Sequence, residues 1–405
     1  MKQAILIPVL VLFSTISLFS QEEEKKNLFD NLELHCYGEL TYNVFDWETY
    51  PDKRNNFDLN RVTFAPEYKF SEKLKLEMEI EFEHGGTGST MEFDKFEEFG
   101  EFEMEIEKGG EVLIEELEIS FQPKKWLEIK AGRIHVPFGY LATTDEPLDY
   151  MTTTYNNVEE TLIPTTWYEF GLAVKTTYKK LSAELALINA LDNSAFSSAN
   201  WIKRGNQMRF ETVNADAFAL SSRIDYKVFE ESTIGVSGYF GNSTPNRPKP
   251  DITQDAFVNL FDAHIHLLPG DFTINANILY GTLQNADIVS AANRNLSNNL
   301  NVKRTPVASV AFGYFAEAGF DILSLFKEST SKLDVFCGYY YYDSMYETTG
   351  DVFNNPRWEK SEIRTGLNYV WNDHIALKSD ITLRTIGIPE DNKETTFTTA
   401  IAFQF

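Results

Sequence analysis

The sequence from Lys73 to Glu83 reads Lys-Leu-Lys-Leu-Glu-Met-Glu-Ile-Glu-Phe-Glu. Every second residue is apolar, and every residue between is charged. Successive side chains of an extended chain point to opposite faces, so this segment has one apolar face and one charged face. A helix would spread these charges around its whole surface. The length also matches the roughly 9–11 residues with which a tilted strand crosses a bilayer. The segment therefore predicts a membrane strand with lipid on one side and water on the other.

Segments of the same kind recur along the rest of the chain. We predict strands at 33–43, 57–70, 73–84, 112–122, 126–134, 166–178, 181–190, 215–228, 233–241, 256–267, 271–283, 307–323, 332–342, 360–371, 374–385 and 394–404. Sixteen is an even number, as expected of a single-chain bacterial barrel. The segment 85–111 leaves the count open, because Glu101 to Glu107 also alternates and Gly109-Gly110 favours a hairpin turn. Counting that hairpin in the barrel gives eighteen strands.

The connections between these strands alternate in length. Short ones include Ser71-Glu72, Lys179-Lys180 and Asn372-Asp373. The long ones are 44–56, 85–111, 135–165, 191–214, 242–255, 284–306, 343–359 and 386–393. Short periplasmic turns and long external loops are typical of outer-membrane barrels. The sequence therefore predicts an all-β fold, a transmembrane antiparallel β-barrel.

The composition agrees with such a barrel and excludes one class of function. Aromatic residues make up 14% of the 405 residues, yet the mean hydropathy is −0.30. A membrane barrel combines these properties, because its apolar rings face lipid while its polar side chains face water inside. The formal net charge is −25, which argues against nucleic-acid binding, since that requires a basic surface.

Residues 1–20 have the pattern of a cleavable signal peptide. Lys2 supplies the positive start, Ala4 to Phe19 form the apolar segment, and Ser20 is a small residue before the expected cut. A membrane-anchor helix is the less favoured alternative, because the segment is shorter than a typical span of ~20 residues. We predict that 21–405 form the barrel in the cell outer membrane, in contact with lipid and lipopolysaccharide.

Alternation also predicts which charged side chains face the water-filled interior. The expected pore-lining residues are Arg61, Lys69, Lys75, Glu77, Glu79, Glu81, Glu116, Glu118, Lys130, Arg223, Arg364, Lys378 and Arg384. A lysine or arginine facing lipid at mid-depth costs roughly 2–4 kcal/mol, which favours the inward assignment. These charges could set ion preference across a channel, or they could simply pair with one another along the wall. The sequence leaves both readings open.

Two stretches resemble the phosphate-selective porin O and P group of Bacteroidota. They are Ala131-Gly-Arg-Ile-His-Val-Pro-Phe-Gly139, and Tyr168-Glu-Phe-Gly-Leu-Ala-Val174 followed by Leu185-Ala-Leu-Ile-Asn-Ala190. The resemblance implies a sixteen-stranded barrel, usually trimeric, whose third loop folds into the lumen. On that basis loop 135–165 is the expected constriction, and its candidate residues are Arg133, His135, Asp145, Glu146 and Asp149.

The same loop departs from the phosphate-selective pattern. Members that select phosphate use basic pore side chains, including a lysine near the constriction, where this chain has His135. The segment from Val136 to Thr165 contains no lysine or arginine, and the external loops lean acidic. We therefore expect weak cation preference or none.

The predicted function is a porin that lets small hydrophilic solutes or ions diffuse passively. An anion- or phosphate-selective channel that uses the basic side chains of the wall is one alternative. A barrel whose external loops serve as an adhesion or receptor surface is another. No enzyme activity is expected, because the chain has no Gly-x-Ser-x-Gly nucleophile motif, and no cofactor is expected. His264 and His266 share one strand face with Asp262, so metal binding at this pair stays open.

Overall fold

The computed structural model describes residues 28–85, 92–98, 101–105, 112–207, 212–296, 304–326 and 331–405. Sixteen antiparallel strands form one closed barrel, as the sequence predicts. The predicted signal peptide lies outside the described residues.

Strand bounds follow the alternating segments closely. The barrel strands are β1 Leu32–Trp47, β2 Asn56–Ser71, β3 Leu74–Glu83, β6 Val112–Lys124, β7 Leu127–His135, β8 Tyr168–Tyr178, β9 Leu181–Asn189, β10 Phe218–Phe229, β11 Ser232–Asn242, β12 Phe257–Leu267, β13 Phe272–Leu283, β14 Val310–Asp321, β15 Lys332–Glu347, β16 Glu359–Trp371, β17 Ile375–Ile386 and β18 Lys393–Gln404. A separate two-stranded sheet is formed by β4 Glu92–Glu98 and β5 Glu101–Glu105. Eighteen barrel strands is therefore the wrong count, since β3 pairs directly with β6 across this hairpin.

The barrel closes where β1 pairs with β18. Their register runs from Tyr37 opposite Gln404 to Trp47 opposite Glu394. Beside it, the backbone N–H of Cys36 donates to the carbonyl oxygen of Phe405 at 2.8 Å. The wall is thus a complete ring, with no strand edge left open between β1 and β18.

Some strands extend past the predicted ends. β1 continues to Trp47 and β15 to Glu347, several residues beyond the predicted ends at 43 and 342. In both extensions polar residues interrupt the alternation, so an apolar pattern could not identify them. The ladder hydrogen bonds continue regardless of which side chains the backbone carries.

In the part of the chain that the structure describes, two α-helices lie in long connections between strands. They are α1 Asn157–Leu162, between β7 and β8, and α2 Ala286–Arg294, between β13 and β14. Single 3-10 turns occur at Leu28–Asn31, Leu141–Thr143, Asn193–Ala195, Lys203–Gly205, Ile322–Leu325 and Pro356–Trp358. Within the described ranges, no helix is long and apolar enough to cross a bilayer.

The outer surface of the barrel is an apolar belt. Exposed large side chains on outward strand positions include Phe170, Leu172, Leu185, Phe240, Phe261, Ile278 and Leu367. The residues between them face inward and include buried polar groups such as Glu118, Ser221, Asp262, Asn275 and Arg364. Apolar groups outside and polar groups inside are the arrangement expected of a barrel that crosses a bilayer.

Substituting one residue of this belt tests the assignment. Leu172 is 55% exposed on the outward face of β8. We expect Leu172→Arg to lower the free energy of unfolding in lipid vesicles by about 2–4 kcal/mol, because the charge would enter hydrocarbon. Denaturant titration measures the loss, and Leu172→Met is the control, since it keeps an apolar side chain of similar volume. Equal stabilities for the two variants would contradict a lipid-facing position.

Candidate functional site: the barrel interior

The connection between β7 and β8, residues 136–167, enters the barrel and first contacts the wall formed by β10 and β11. The backbone N–H of Gly139 donates to Ser237 Oγ at 2.9 Å. The guanidinium of Arg223 donates to the Gly139 carbonyl and, at 3.0 Å, to Thr143 Oγ1. These bonds satisfy backbone groups that would otherwise be buried without partners.

The middle of the same loop is fastened to the opposite wall. Lys378 of β17 donates to the carbonyls of Pro147, Tyr150 at 2.6 Å and Thr152 at 3.1 Å. The backbone N–H of Thr153 donates to Asp380 Oδ2 at 2.8 Å. The loop therefore lies across the interior between two walls of the barrel.

A short helix ends the crossing and packs against the interior. In α1, the Asn156 side chain caps the helix by accepting from the backbone N–H of Glu159 at 2.9 Å. The carboxylate of Glu159 in turn accepts from the backbone of Tyr140 at 2.5 Å and Leu141 at 2.8 Å. The Glu159 carboxylate thus joins the helix near the end of the loop to residues 140 and 141 near its start, and this contact fixes the shape of the loop.

Three acidic residues expected at the constriction lie in this loop. The carbonyl of Asp145 accepts from Arg61, Glu146 Oε2 lies 3.1 Å from His35 Nε2, and the Asp149 carboxylate accepts from the backbone N–H of Glu146 at 3.2 Å. Burial raises the pKa of the Asp145 carboxyl above its ordinary value, and the Arg61 charge opposes that rise.

The structure corrects the placement of two other residues expected there. Arg133 lies within β7, opposite Leu117 and Phe170 on the outward face, and donates to the Ile114 carbonyl at 2.8 Å. His135 is the last residue of β7, and its ring stacks on that of Tyr168 with centroids 4.7 Å apart. The strand predicted to end at residue 134 continues through His135, and Arg133 points to the outer face and not into the lumen.

Arg61 of β2 forms the centre of an aromatic and acidic wall. Its guanidinium carbon lies 5.0 Å from the Tyr37 ring centre and 4.6 Å from that of Tyr155. Arg61 Nη1 is 3.7 Å from Glu81 Oε2, and Nε is 3.9 Å from Glu39 Oε1. The guanidinium of Arg61 is therefore the shared cation of two buried carboxylates, those of Glu39 and Glu81.

Most of the other predicted lumen charges of β2, β3, β6 and β7 also have polar partners. Lys69 contacts Glu33 and, at 3.3 Å, Glu67; Lys75 lies 2.7 Å from Glu77 and Lys130 lies 3.0 Å from Glu118. Glu79 accepts from the hydroxyls of Tyr37 and, at 2.6 Å, Tyr168. Lys69 and Lys75 lie near the β2–β3 turn, and the others lie deeper.

A β-bulge in β6 adds an inward residue that strict alternation misses. Glu79 of β3 pairs with Glu116, but its neighbour Ile80 pairs with Ile114, which leaves Glu115 as the extra residue. Glu115 is buried and Glu116 is half-buried, while Ile114 and Leu117 are exposed outside. The sequence does indicate this bulge, because the outward apolar residues Ile114 and Leu117 are three positions apart, whereas regular alternation would separate them by an even number.

A second cluster of paired charges lines β16 to β18. Arg364 Nη2 and Arg384 Nη1 lie 3.8 and 3.6 Å from the Glu362 carboxylate, and Arg384 also binds Glu394. Asn157 of the loop donates to Glu362 at 2.7 Å. Arg364 donates to the Thr154 carbonyl of the loop at 3.4 Å, whereas Arg61 lies over the ring of Tyr155.

A polar cavity of about 720 Å³ lies beside the loop, towards the external ends of β1 to β3 and β6. Carboxylates of Glu39, Asp58, Glu81, Glu83, Glu115 and Glu160 line it, together with the cations of Arg61, Lys203 and Arg204. The cavity is therefore predominantly acidic. Its walls come from the barrel on one side and from loop 136–167 and residues 200–206 on the other.

The opposite half of the external end is filled by packed loops. Trp201, Leu191, Phe196 and Val289 are buried in one apolar cluster. Arg247 binds this region together, since it donates to Asn193 Oδ1 at 3.0 Å, Asn293 Oδ1 at 2.6 Å and Asp251 Oδ1 at 2.6 Å. Its hydrogen bond holds the pKa of the Asp251 carboxyl below its ordinary value. The guanidinium of Arg247 thus links three external loops, 191–214, 242–255 and 284–306, to one another.

We expect Arg247→Met to loosen these three loops. The substitution removes the hydrogen bonds to Asn193 and Asn293, and each buried oxygen left without its donor costs about 1–3 kcal/mol. Limited proteolysis of the folded protein should cut the segments 243–256 and 284–296 sooner than in wild type. Lys249→Met serves as the control, because Lys249 lies at 3.9 Å from Asp251 and its side chain is 56% exposed. Unchanged protection in Arg247→Met would contradict the bridging role.

His264 and His266 engage separate partners. The His264 ring lies 2.6 Å from Asp262 Oδ1 and 2.8 Å from Asp225 Oδ1, whereas His266 Nδ1 is 2.8 Å from Asn275 Oδ1. Arg223 also contacts His264 at 2.8 Å. Among the residues described, no group of three potential ligands is arranged to hold a metal ion.

No protein-family model matches the chain. An uncharacterized protein of Aquifex aeolicus (strain VF5) is 26% identical over 367 residues, which cover 88% of this chain and 76% of that protein. The anion-selective porin from Comamonas acidovorans has a TM-score of 0.55 at 10% identity, covering 92% of this chain and 99% of its own. OmpF of Salmonella typhi in complex with daunomycin has a TM-score of 0.55 at 12% identity, covering 92% and 97%. These similarities show the fold, a porin-type β-barrel.

Proposed function

We propose that this chain is an outer-membrane porin through which small hydrophilic solutes and ions diffuse passively. The observation that supports it most directly is a loop held between opposite walls of a closed barrel, beside a polar cavity of about 720 Å³. A loop fixed in this way narrows the path without filling it. Loop 136–167 is then the constriction that sets the size of solutes that pass.

The charges of the interior support a weak cation preference over phosphate selection. Arg61, Lys130, Arg364 and Arg384 each lie close to at least one carboxylate. A cation that is already paired attracts a passing anion less than an unpaired one. The constriction loop itself contributes carboxylates and no basic side chain between Val136 and Thr165.

The location follows from the same proposal. The apolar belt requires a bilayer, and strands that cross as a closed barrel are typical of outer membranes. We infer that residues 1–20 direct export and are then removed, and that 21–405 contact outer-membrane lipid and lipopolysaccharide as a homotrimer.

Recordings from the purified protein in planar bilayers test this function. We expect stepwise ohmic conductance, and under a KCl gradient a reversal potential near zero or slightly on the cation-selective side. Clear chloride selectivity would favour the anion-channel alternative. A correctly folded barrel that carries no current would contradict the porin and favour an adhesion or receptor surface.

A further inference from the structure

Four lysines lie together at the end of the barrel where the connections are short turns, which is the periplasmic end. Lys124 ends β6 and Lys125 follows it in the turn to β7, while Lys179 and Lys180 form the turn between β8 and β9. The two turns are neighbours, because β7 pairs with β8 along its whole length. All four side chains are exposed, and we call them the basic turn pair.

The rest of the periplasmic rim carries mainly negative charge. Four other short turns contain Glu72 beside Lys73, Glu230 beside Glu231, Asp271, and Asp373. The whole chain has a net charge of −25. Neither turn of the basic turn pair contains a carboxylate, so it forms a positive sector on an otherwise acidic rim.

The charges of the basic turn pair are not neutralised by the described part of the chain. There, none of the four ammonium groups forms an ion pair with a carboxylate. By contrast, Lys130 of β7 and Lys175 of β8 lie 3.0 and 4.0 Å from carboxylate oxygens. Lys180 donates to the Val228 carbonyl at 2.9 Å, a contact that leaves its charge in place. The four positive charges are therefore available to an anionic partner.

Exposed aromatic rings indicate the depth of these lysines in the membrane. Trp126 lies in one turn and is 54% exposed, and Tyr178, directly before the other turn, is 69% exposed. Lys179 Nζ lies 5.3 Å from the ring centre of Tyr178. Tryptophan and tyrosine rings on the outside of a barrel lie at the level of the lipid headgroups. A lysine beside such a ring keeps its methylene groups on apolar surface and extends its ammonium to the headgroups.

We propose that the basic turn pair binds anionic phospholipids of the periplasmic leaflet of the outer membrane. The ammonium groups donate to phosphate oxygens of the headgroups, and the acyl chains lie against exposed apolar residues of the same strands, such as Phe121 and Leu181. A lipid fits better than the cell wall, because the aromatic rings place the lysines at the headgroups and not beyond them. The inference goes beyond the proposed function, since it concerns the lipid around the barrel and not the path through it.

Quenching of Trp126 fluorescence by brominated lipids tests this inference. The full chain is folded at low salt into phosphatidylcholine vesicles that contain increasing proportions of brominated phosphatidylglycerol or brominated phosphatidylcholine. The difference from Trp126→Phe isolates the signal of Trp126 from that of the other tryptophans. Both lipids carry a phosphate, so a preference for phosphatidylglycerol reports its net negative charge. We expect half-maximal quenching at an about fivefold lower proportion of brominated phosphatidylglycerol.

Three double variants locate the preference. Lys125→Gln with Lys179→Gln should bring the two lipids close to equal quenching, and Lys125→Arg with Lys179→Arg should keep the preference. Lys73→Gln with Lys332→Gln is the matched control. It removes two charges from the same rim outside the basic turn pair, where Lys73 follows Glu72 and Lys332 lies 3.1 Å from Asp334. This control should keep the preference of wild type.

Equal quenching of wild type by the two lipids overturns the inference, whether or not the barrel conducts. An equal loss of preference in both glutamine variants also overturns it, because overall charge would then be the cause. Sedimentation with purified peptidoglycan that depends on Lys125 and Lys179, without a lipid preference, assigns the basic turn pair to the cell wall instead. If the glutamine variant fails to fold, wild type at high salt decides: the preference must fall, since exposed charges are screened, and an unchanged preference overturns the inference. A lipid preference in a barrel without conductance contradicts the porin alone.

Discussion

We expect Lys378→Met to raise the single-channel conductance of the barrel and to increase its current noise. Lys378 is 3% exposed, and its ammonium holds the carbonyls of Pro147, Tyr150 and Thr152. Methionine has a similar length but donates no hydrogen bond, so three inward carbonyls lose their partner. Each lost partner costs about 1–3 kcal/mol, which is enough to release the middle of loop 136–167 from the wall. Planar-bilayer recording measures the change directly.

The control for this substitution is Lys332→Met. Lys332 belongs to β15, its side chain is 41% exposed, and it contacts Asp334 and Thr273 and not the loop. Its conductance should equal that of wild type. If Lys378→Met also conducts like wild type, and the loop stays protected from protease, then loop 136–167 does not narrow the path.

The second large effect is expected for Arg61→Gln. This substitution leaves the carboxylates of Glu39 and Glu81 buried without their common cation and removes the donor to Asp145. Breaking a buried ion pair from one side costs about 3–5 kcal/mol, so the unfolding midpoint in denaturant should fall markedly. The same loss makes the cavity wall more negative, and the reversal potential under a KCl gradient should move towards cation selectivity.

Arg54→Gln supplies the matched comparison. It makes the same change of charge at an exposed position in the loop between β1 and β2. Its stability and reversal potential should stay close to wild type, because exposed charges are screened by salt. A shift in Arg54→Gln as large as that in Arg61→Gln would show that net charge, and not the position of Arg61, controls selectivity.

The wall of the barrel could be predicted well from the sequence. Alternation in 73–83 corresponds to β3, and it places Glu79 and Glu81 on the inner side, where the structure has them. The prediction succeeds because successive side chains of a strand point to opposite faces of the sheet. The direction of one side chain therefore determines the directions of its neighbours. Glu115 escaped the prediction because a bulge breaks that regularity with a single extra residue.

The interior was harder to predict because it depends on contacts between distant segments. Lys378 could be placed on the inner face, yet nothing near it in the sequence indicates that it binds carbonyls of loop 136–167. The cavity is likewise formed by β2, β6 and residues 200–206, which alternation treats separately. Local patterns therefore predict directions of side chains, whereas loop packing decides which of them meet.

The pairing of β1 with β18 constrains how the protein can be assembled. The hydrogen bonds between Cys36 and Phe405 join segments that leave the ribosome far apart in time. Until they form, two rows of backbone N–H and C=O groups have no partner, and each such group costs several kcal/mol in hydrocarbon. An unfinished wall also offers a template for pairing with other chains. Entry of the nascent sheet into the bilayer one hairpin at a time is therefore disfavoured, because its two edges stay unpaired until the last strand arrives.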